Sequence, residues 1–219
     1  MNIQAFSTAV FDLDGTLLNT LRDISEAANR TLCHAGFDPH PESSFRHFIG
    51  DGPEVLFQRA IGAETIKDPR ISELVNQYKE ECILQEDRHT TLYPGISGLL
   101  DLLQHSGISL TILTNKRQPH ADTCVARFLN RWPWQIVLGS GDHIPKKPDP
   151  QGALQIATTL NVSPAACLYF GDTDVDMLTA KSAGMTAIGV LWGFRDQQEL
   201  ESAGANSIIS HPLEIEPIQ

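Results

Sequence analysis

Six short apolar runs recur along the sequence, and each has the length of one buried strand. They are residues 8–11, 109–113, 135–138, 167–170, 186–191 and 207–209. Amphipathic stretches with helical spacing lie between several of these runs. Short apolar runs that alternate with helices are typical of a parallel sheet flanked by helices. The sequence therefore predicts an α/β chain.

The first two apolar runs are separated by nearly one hundred residues, whereas a strand–helix–strand crossover needs only about 30. Apolar residues inside this gap follow helical stripes, over 21–35, 55–60 and 71–82, without the alternation of a strand. We therefore predict an all-helical cap domain at residues 16–90. The core domain would then consist of residues 1–15 and 91–219.

Charge and cysteine content narrow the classes of protein that the chain can belong to. Sixteen Lys and Arg against 27 Asp and Glu give a net charge of −11, which disfavours nucleic acids and anionic membrane surfaces as partners. An anionic substrate would need local positive charge, which a divalent cation supplies most simply. The four cysteines form no CxxC pair, and no secretory signal or run of about 20 apolar residues is present, so we expect a cytoplasmic protein.

A pair of aspartates follows the first apolar run, in the segment Asp12-Leu13-Asp14-Gly15-Thr16. A carboxylate at a strand end can attack phosphorus when a cation holds its charge. A second carboxylate two residues later can act as general acid and base, and Gly15 permits the turn that brings both to one centre. An Asx-turn is the simpler interpretation of Asp-x-Asp alone. The complete segment after a strand favours catalytic roles for Asp12 and Asp14.

Two further segments carry groups that suit a phosphate. Thr114 and Asn115 follow the second apolar run, where a hydroxyl and backbone N–H groups can donate to phosphate oxygens. Lys147 lies in the segment 146–150, Lys-Lys-Pro-Asp-Pro, where a fixed cation would neutralise the nucleophile and the transferred group. Adjacent lysines in a loop are usually only solvated, and Lys146 fits that simpler interpretation.

An acidic segment, Gly171-Asp172-Thr173-Asp174-Val175-Asp176, follows the fourth apolar run. Magnesium prefers oxygen ligands, commonly one or two carboxylates together with phosphate and water. Asp172, at the strand end, is placed for direct ligation, and Asp176, one helical turn later, could hold a metal-bound water or orient Lys147. Asp174 is expected to cap the helix. Ligands of open parallel sheets bind outside the carboxyl ends of the strands, so the four polar segments should converge.

Taken in order, DLDGT, TN, KKPDP and GDTDVD resemble the four motifs of the haloacid dehalogenase-like hydrolases. The resemblance covers essentially the whole chain and implies a Rossmann-like core with a helical cap. It implies that Asp12 is the nucleophile and a metal ligand. It also implies that Asp14 is the general acid and base and ligates Mg²⁺ through its backbone carbonyl. A carboxylic acid at this second position fits a phosphatase or phosphomutase, because the leaving alkoxide needs a proton.

The same resemblance assigns the remaining groups of the site. Thr114 and Lys147 would bind the phosphate and take part in catalysis, and Asp172 and Asp176 would complete the metal site. We also expect Thr16 and Asn115 to bind the substrate. The set is then Asp12, Asp14, Thr16, Thr114, Asn115, Lys147, Asp172 and Asp176.

A closer likeness is to the phosphoglycolate phosphatases, in residues 48–56, 114–116 and 190–204. It implies hydrolysis of 2-phosphoglycolate through an aspartyl-phosphate intermediate. A β-phosphoglucomutase-like phosphomutase, a pyrophosphatase and a catalytically silent binding protein on the same fold remain alternatives. Trp192 is expected to be a packed aromatic residue rather than a substrate contact. The sequence is compatible with a monomer and with a homodimer. It also does not show which of Arg46, Arg59 and Lys67 would bind a carboxylate of the substrate.

Overall fold

Eight strands account for the β-structure in the ranges that the structure describes. The structure is a computed structural model, and it describes residues 3–85, 87–141 and 144–215. The strands are β1 (Thr8–Phe11), β2 (Leu18–Asn19), β3 (Thr91–Leu92), β4 (Ser109–Arg117), β5 (Trp134–Ser140), β6 (Cys167–Gly171), β7 (Thr186–Val190) and β8 (Ser207–Ile209). The two shortest, β2 and β3, pair with each other.

The other six strands form one sheet in the order β5-β4-β1-β6-β7-β8, and all neighbours run parallel. The chain adds β4 and β5 on one side of β1 and then returns to add β6, β7 and β8 on the other side. The strand order therefore reverses between β1 and β6, and such a switch point leaves a crevice at the carboxyl ends of the strands. The prediction of a parallel α/β core is confirmed.

Helices make up most of the remaining described chain. They are α1 (Leu21–His34), α2 (Glu42–Phe48), α3 (Pro53–Ile61), α4 (Pro69–Gln85), α5 (Ile96–His105), α6 (Gln118–Phe128), α7 (Gln151–Thr159), α8 (Asp174–Ala183) and α9 (Gln197–Ala203). In the described ranges, we find no helix with both the length and the apolar character of a membrane span.

The side chains of β1 show why the apolar runs are continuous. Ala9 and Phe11 belong to one hydrophobic cluster, together with buried residues of α5 and α6. Val10 belongs to a second cluster, with buried residues of α7, α8 and α9. Because successive side chains of a strand point to opposite faces, β1 packs against helices on both sides.

The chain divides into two compact units, residues 1–18 with 92–219, and residues 19–91. The second unit contains α1 to α4. Within it, the Asp23 carboxylate near the start of α1 accepts hydrogen bonds from the His89 backbone N–H and, at 2.7 Å, from the Thr90 hydroxyl. This buried carboxylate therefore ties the first helix of the unit to the segment that leaves it.

The insert predicted at residues 16–90 is not entirely helical, because β2 lies inside that range. A strand of two residues has no periodicity that a sequence pattern can reveal. The division into compact units does not show whether each unit behaves as a domain. The assignment of residues 1–15 and 91–219 to a core domain, and of residues 16–90 to a cap domain, therefore stays a prediction.

Candidate active site

Acidic and basic side chains from different parts of the chain meet at the switch point of the sheet. Asp12 directly follows β1, and Asp172 directly follows the neighbouring strand β6. Asp176 lies in the first turn of α8, the helix that leaves β6. Lys147 precedes α7, and its ammonium group contacts two of these carboxylates.

The carboxylates of Asp12, Asp172 and Asp176 offer oxygen atoms that all lie within 4.8 Å of one another. The most accessible of the three residues, Asp12, is only 6% exposed. Lys147 Nζ lies 2.8 Å from Asp12 Oδ1 and 2.7 Å from Asp176 Oδ1, and the lysine side chain is 2% exposed. The cluster thus brings three buried acids around one ammonium group.

The electrostatics of the cluster oppose full ionisation of its acids. Burial raises the pKa of Asp12 to about 7, and attraction to the Lys147 ammonium offsets only part of that effect. Burial, with repulsion from Asp176 and Asp12, raises the pKa of Asp172 well above its ordinary value. Burial alone would lower the pKa of Lys147, but attraction to Asp12 and Asp176 raises it well above its ordinary value. Three ionised acids would therefore carry more negative charge than Lys147 neutralises, and a divalent cation would balance that charge.

Two uncharged donors hold the carboxylate of Asp172. The Thr16 hydroxyl donates to Oδ1 at 2.8 Å, and the Phe194 backbone N–H donates to Oδ2 at 2.8 Å. A Cβ on Gly15 would lie 2.3 Å from Asp172 Oδ2, and a Cβ on Gly193 would lie 2.2 Å from Asp172 Cβ. Only glycine fits at either position, since real Cβ atoms do not approach other atoms so closely.

Thr16 is a residue that we expect to bind the substrate. The residue is fully buried, and its hydroxyl donates to Asp172. The observed partner of Thr16 is thus another site residue, and substrate binding by Thr16 stays a prediction.

Asp176 is held by the residues that start α8. Its Oδ2 atom accepts hydrogen bonds from Thr173, at 3.1 Å from the backbone N–H and 2.7 Å from the hydroxyl. The Tyr169 hydroxyl lies 3.5 Å from Asp176 Oδ1, the oxygen that also binds Lys147. Thr173 is the N-cap and forms a capping box with Asp176, whereas Asp174 is the first residue of the helix. The expectation that Asp174 caps α8 is therefore wrong.

Thr114 and Asn115 lie within β4, which continues beyond the apolar run that predicted it. The Asn115 side chain accepts from the Lys147 backbone N–H at 2.8 Å and donates to the Lys147 carbonyl at 3.1 Å. This reciprocal pair fixes the backbone of Lys147, and substrate binding by Asn115 stays a prediction. Thr114 Oγ1 accepts from the Lys116 N–H at 3.1 Å, which leaves the hydroxyl hydrogen to donate.

Asp14 points its carboxylate at a residue to which the sequence assigned no role. Lys116 Nζ lies 3.0 Å and 3.2 Å from the two carboxylate oxygens of Asp14, and both side chains are largely buried. The Asp14 carboxylate is not part of the cluster of three acids found among the described residues. The motif Thr114-Asn115-Lys116 contains this lysine, but its spacing does not show which carboxylate the lysine meets.

One of the cations proposed for a substrate carboxylate has a structural partner in the second unit. Arg59 Nη2 lies 2.7 Å from Asp51 Oδ2, and its Nη1 donates to the carbonyls of His47 and Phe48 at 3.1 Å and 3.3 Å. Arg59 therefore satisfies the C-terminal carbonyls of α2.

The chain is similar in sequence and fold to known hydrolases. The family model of the haloacid dehalogenase-like hydrolases matches residues 9–190. Curated relatives include a phosphoglycolate phosphatase of Chromobacterium violaceum, 32% identical over 91% of this chain and 91% of its own length. Another is a phosphoglycolate phosphatase of Pseudomonas putida, 29% identical over 91% of this chain and 75% of its own length. A solved haloacid dehalogenase-like hydrolase of Streptococcus pneumoniae has a TM-score of 0.85 at 27% identity, covering 96% of each chain. The chain therefore belongs to the haloacid dehalogenase-like hydrolase family.

Proposed function

We propose that this chain is a magnesium-dependent phosphomonoester hydrolase that acts on a small phosphorylated metabolite, with 2-phosphoglycolate as the leading candidate. The observation that carries the proposal is the buried cluster of Asp12, Asp172 and Asp176, with Lys147 in contact with two of the three. The name phosphoglycolate phosphatase, carried by the curated relatives, supports the choice of substrate.

The donors of the cluster fit magnesium. All of them are carboxylate oxygens, which Mg²⁺ prefers, and the hydrogen bonds that hold Asp172 come from uncharged groups. Asp12 and Asp172 would hold the ion, with the backbone carbonyl of Asp14 as a further ligand by likeness to the family. Asp176 would support them by orienting Lys147. When bound, the ion would neutralise phosphate oxygens beside the nucleophile.

Asp12 is the proposed nucleophile. One of its carboxylate oxygens attacks phosphorus, and the bond between phosphorus and the ester oxygen of the substrate breaks, which leaves an acyl phosphate on Asp12. The Lys147 ammonium, 2.8 Å from Asp12 Oδ1, neutralises charge that the carboxylate and the transferred group share. The Thr114 hydroxyl donates to a phosphoryl oxygen.

Asp14 is the proposed general acid and base. Its carboxylate is bound to Lys116 in the structure, so it must turn from that lysine and take up a proton from solvent before it protonates the departing ester oxygen. Asp14 then accepts a proton from water as the water attacks phosphorus, which releases phosphate and restores Asp12.

The helical unit is proposed to act as a cap that selects the leaving group, as the family likeness implies. We also propose a cytoplasmic location. All four cysteines are free thiols, as expected in a reducing compartment.

The first experiment removes the nucleophile. Asp12→Asn keeps the size of the side chain but cannot form the acyl phosphate, so phosphate release from 2-phosphoglycolate and from an aryl phosphate should fall to background in a colorimetric assay with Mg²⁺. The matched control is Asp174→Asn, which removes the same charge from a residue outside the cluster and should retain most of the activity. Undiminished turnover by Asp12→Asn would refute the assigned nucleophile.

A panel of phosphorylated metabolites then separates the proposed hydrolase from its alternatives. Phosphate release that needs no sugar bisphosphate activator distinguishes a phosphatase from a phosphomutase. Hydrolysis of pyrophosphate alone would identify a pyrophosphatase. The absence of any magnesium-dependent hydrolysis would favour a silent binding protein.

A further inference from the structure

An indole reaches the site from a segment outside the four motifs. Trp192 lies just beyond β7, and its Nε1–H donates to the backbone carbonyl of Thr16 at 2.9 Å, across a sequence separation of 176 residues. In the sheet, β6 lies between β7 and β1, so this bond crosses two strand spacings, roughly 10 Å. A long side chain with an N–H at its tip can make that connection, and phenylalanine cannot.

The bond of Trp192 belongs to a closed set of contacts around Asp172. The Thr16 hydroxyl donates to Asp172 Oδ1, and the Phe194 N–H donates to Oδ2. Trp192 and Phe194 are joined through Gly193, whose bare Cα makes room for the Asp172 side chain. The segment 192–194 therefore positions both oxygens of the Asp172 carboxylate. Phe194 binds Oδ2 directly, and Trp192 acts on Oδ1 indirectly, through its hydrogen bond to Thr16.

We propose that Trp192-Gly193-Phe194, here named the WGF segment, positions Asp172 for the metal, and that Trp192 is a positioning residue that acts through Thr16. The inference rests on the metal site of the proposed function. A metal ligand must keep its oxygen within a few tenths of an ångström of its place, and the groups that orient it affect affinity strongly. Trp192 also restrains the turn that carries Asp14, whose carbonyl is the further proposed ligand.

The chain offers a matched control for removing this indole N–H. Trp132 also donates one hydrogen bond, from Nε1 to Asp101 Oδ1 at 2.8 Å, and it packs in the same hydrophobic cluster. Trp132→Phe and Trp192→Phe therefore make the same chemical change, but only Trp192 is linked to Asp172.

Mn²⁺ is a suitable probe, because its binding is read directly from the electron paramagnetic resonance of the free ion. We expect Trp192→Phe to bind Mn²⁺ about tenfold more weakly than the wild type. Trp132→Phe should bind it like the wild type. Thermal unfolding in chelator checks that both variants fold. Wild-type affinity in Trp192→Phe would overturn the inference and leave the proposed function standing, whereas a wild-type chain that binds no Mn²⁺ would overturn both.

Thr16 provides a second and independent readout. Thr16→Val removes the hydroxyl that donates to Asp172, and Thr16→Ser retains it, so only the valine variant should lose Mn²⁺ affinity. The combined variant Trp192→Phe/Thr16→Val should lose less affinity than the product of the two single losses, because both changes act on the same carboxylate. Equal affinity in Thr16→Val and Thr16→Ser would overturn the proposed connection, and this comparison decides the matter should Trp192→Phe fail to fold.

Discussion

Lys147 is the group whose removal should have the most informative effect on the metal-free protein. Its Nζ lies 2.8 Å from Asp12 and 2.7 Å from Asp176, and its side chain is 2% exposed, so solvent screens these contacts little. Lys147→Met keeps an unbranched apolar chain but leaves both carboxylates buried without their cation. Breaking a buried ion pair by removing one partner costs about 3–5 kcal/mol.

The size of this loss should depend on pH. The pKa of Asp12 in the folded chain is raised to about 7, against an ordinary value of 3.8. At pH values between these two, Asp12 therefore holds a proton in the folded chain that it has released in the unfolded chain. Stability contributed by a raised pKa is present at low pH and is lost as the pH rises through the folded value. Without Lys147, which lowers the pKa of Asp12, protonation should persist to still higher pH. The variant should therefore lose about 3–5 kcal/mol at pH 8 and less at pH 5.5.

Urea unfolding followed by circular dichroism, in chelator at both pH values, measures this loss. Lys146→Met is the matched control, because it makes the same change one residue earlier at a half-buried position, where we expect a loss below about 1 kcal/mol. Millimolar Mg²⁺ should reduce the deficit of Lys147→Met, since the ion supplies the missing positive charge. A Lys147→Met chain as stable as the wild type at pH 8 in chelator would contradict the reasoning.

Two further predictions concern the metal site. Affinity for Mg²⁺, measured by titration calorimetry, should rise as the pH increases through 7. The pKa values of Asp12 and Asp172 are raised, so these residues must release protons when the ion binds. An affinity that does not change with pH would count against the metal site. Gly193→Ala should weaken Mn²⁺ binding and reduce the free energy of unfolding by about 1–3 kcal/mol, because its Cβ would lie 2.2 Å from Asp172 Cβ. Gly141→Ala is its control, since a Cβ there meets nothing within 4 Å, and equal Mn²⁺ affinities would contradict this prediction.

The sequence predicted the strands of the large sheet well because their apolar runs are continuous and short. A run of four to six apolar residues that alternates with helical stretches is typical of a strand buried on both faces. Elements without such a pattern were missed. The apolar stripe of helix α6 is short, with Ala121 and Cys124 buried and Val125 and Phe128 packed against the same cluster. The last residues of β4 are polar.

The site was predictable in its location more than in its hydrogen bonds. Strand ends correctly indicated where Asp12 and Asp172 would lie, since parallel strands bring their carboxyl ends to one edge of the sheet. The ion pair of Asp14 with Lys116 joins residues 102 positions apart, and the Trp192 bond spans 176. Such pairs depend on strand order, register and rotamers, which periodicity does not encode.

The two connections to the helical unit run side by side. The Tyr93 backbone N–H donates to the Leu17 carbonyl at 3.2 Å, so the point where the chain leaves the core is adjacent to the point where it returns. A segment whose ends meet can be lengthened, shortened or exchanged at little cost in chain entropy to the scaffold that carries it. Evolution is therefore free to replace the 73 residues from 19 to 91 while the sheet keeps the groups that would cleave the phosphoester. With the proposed role of the helical unit in selecting the leaving group, one scaffold would in this way serve many leaving groups.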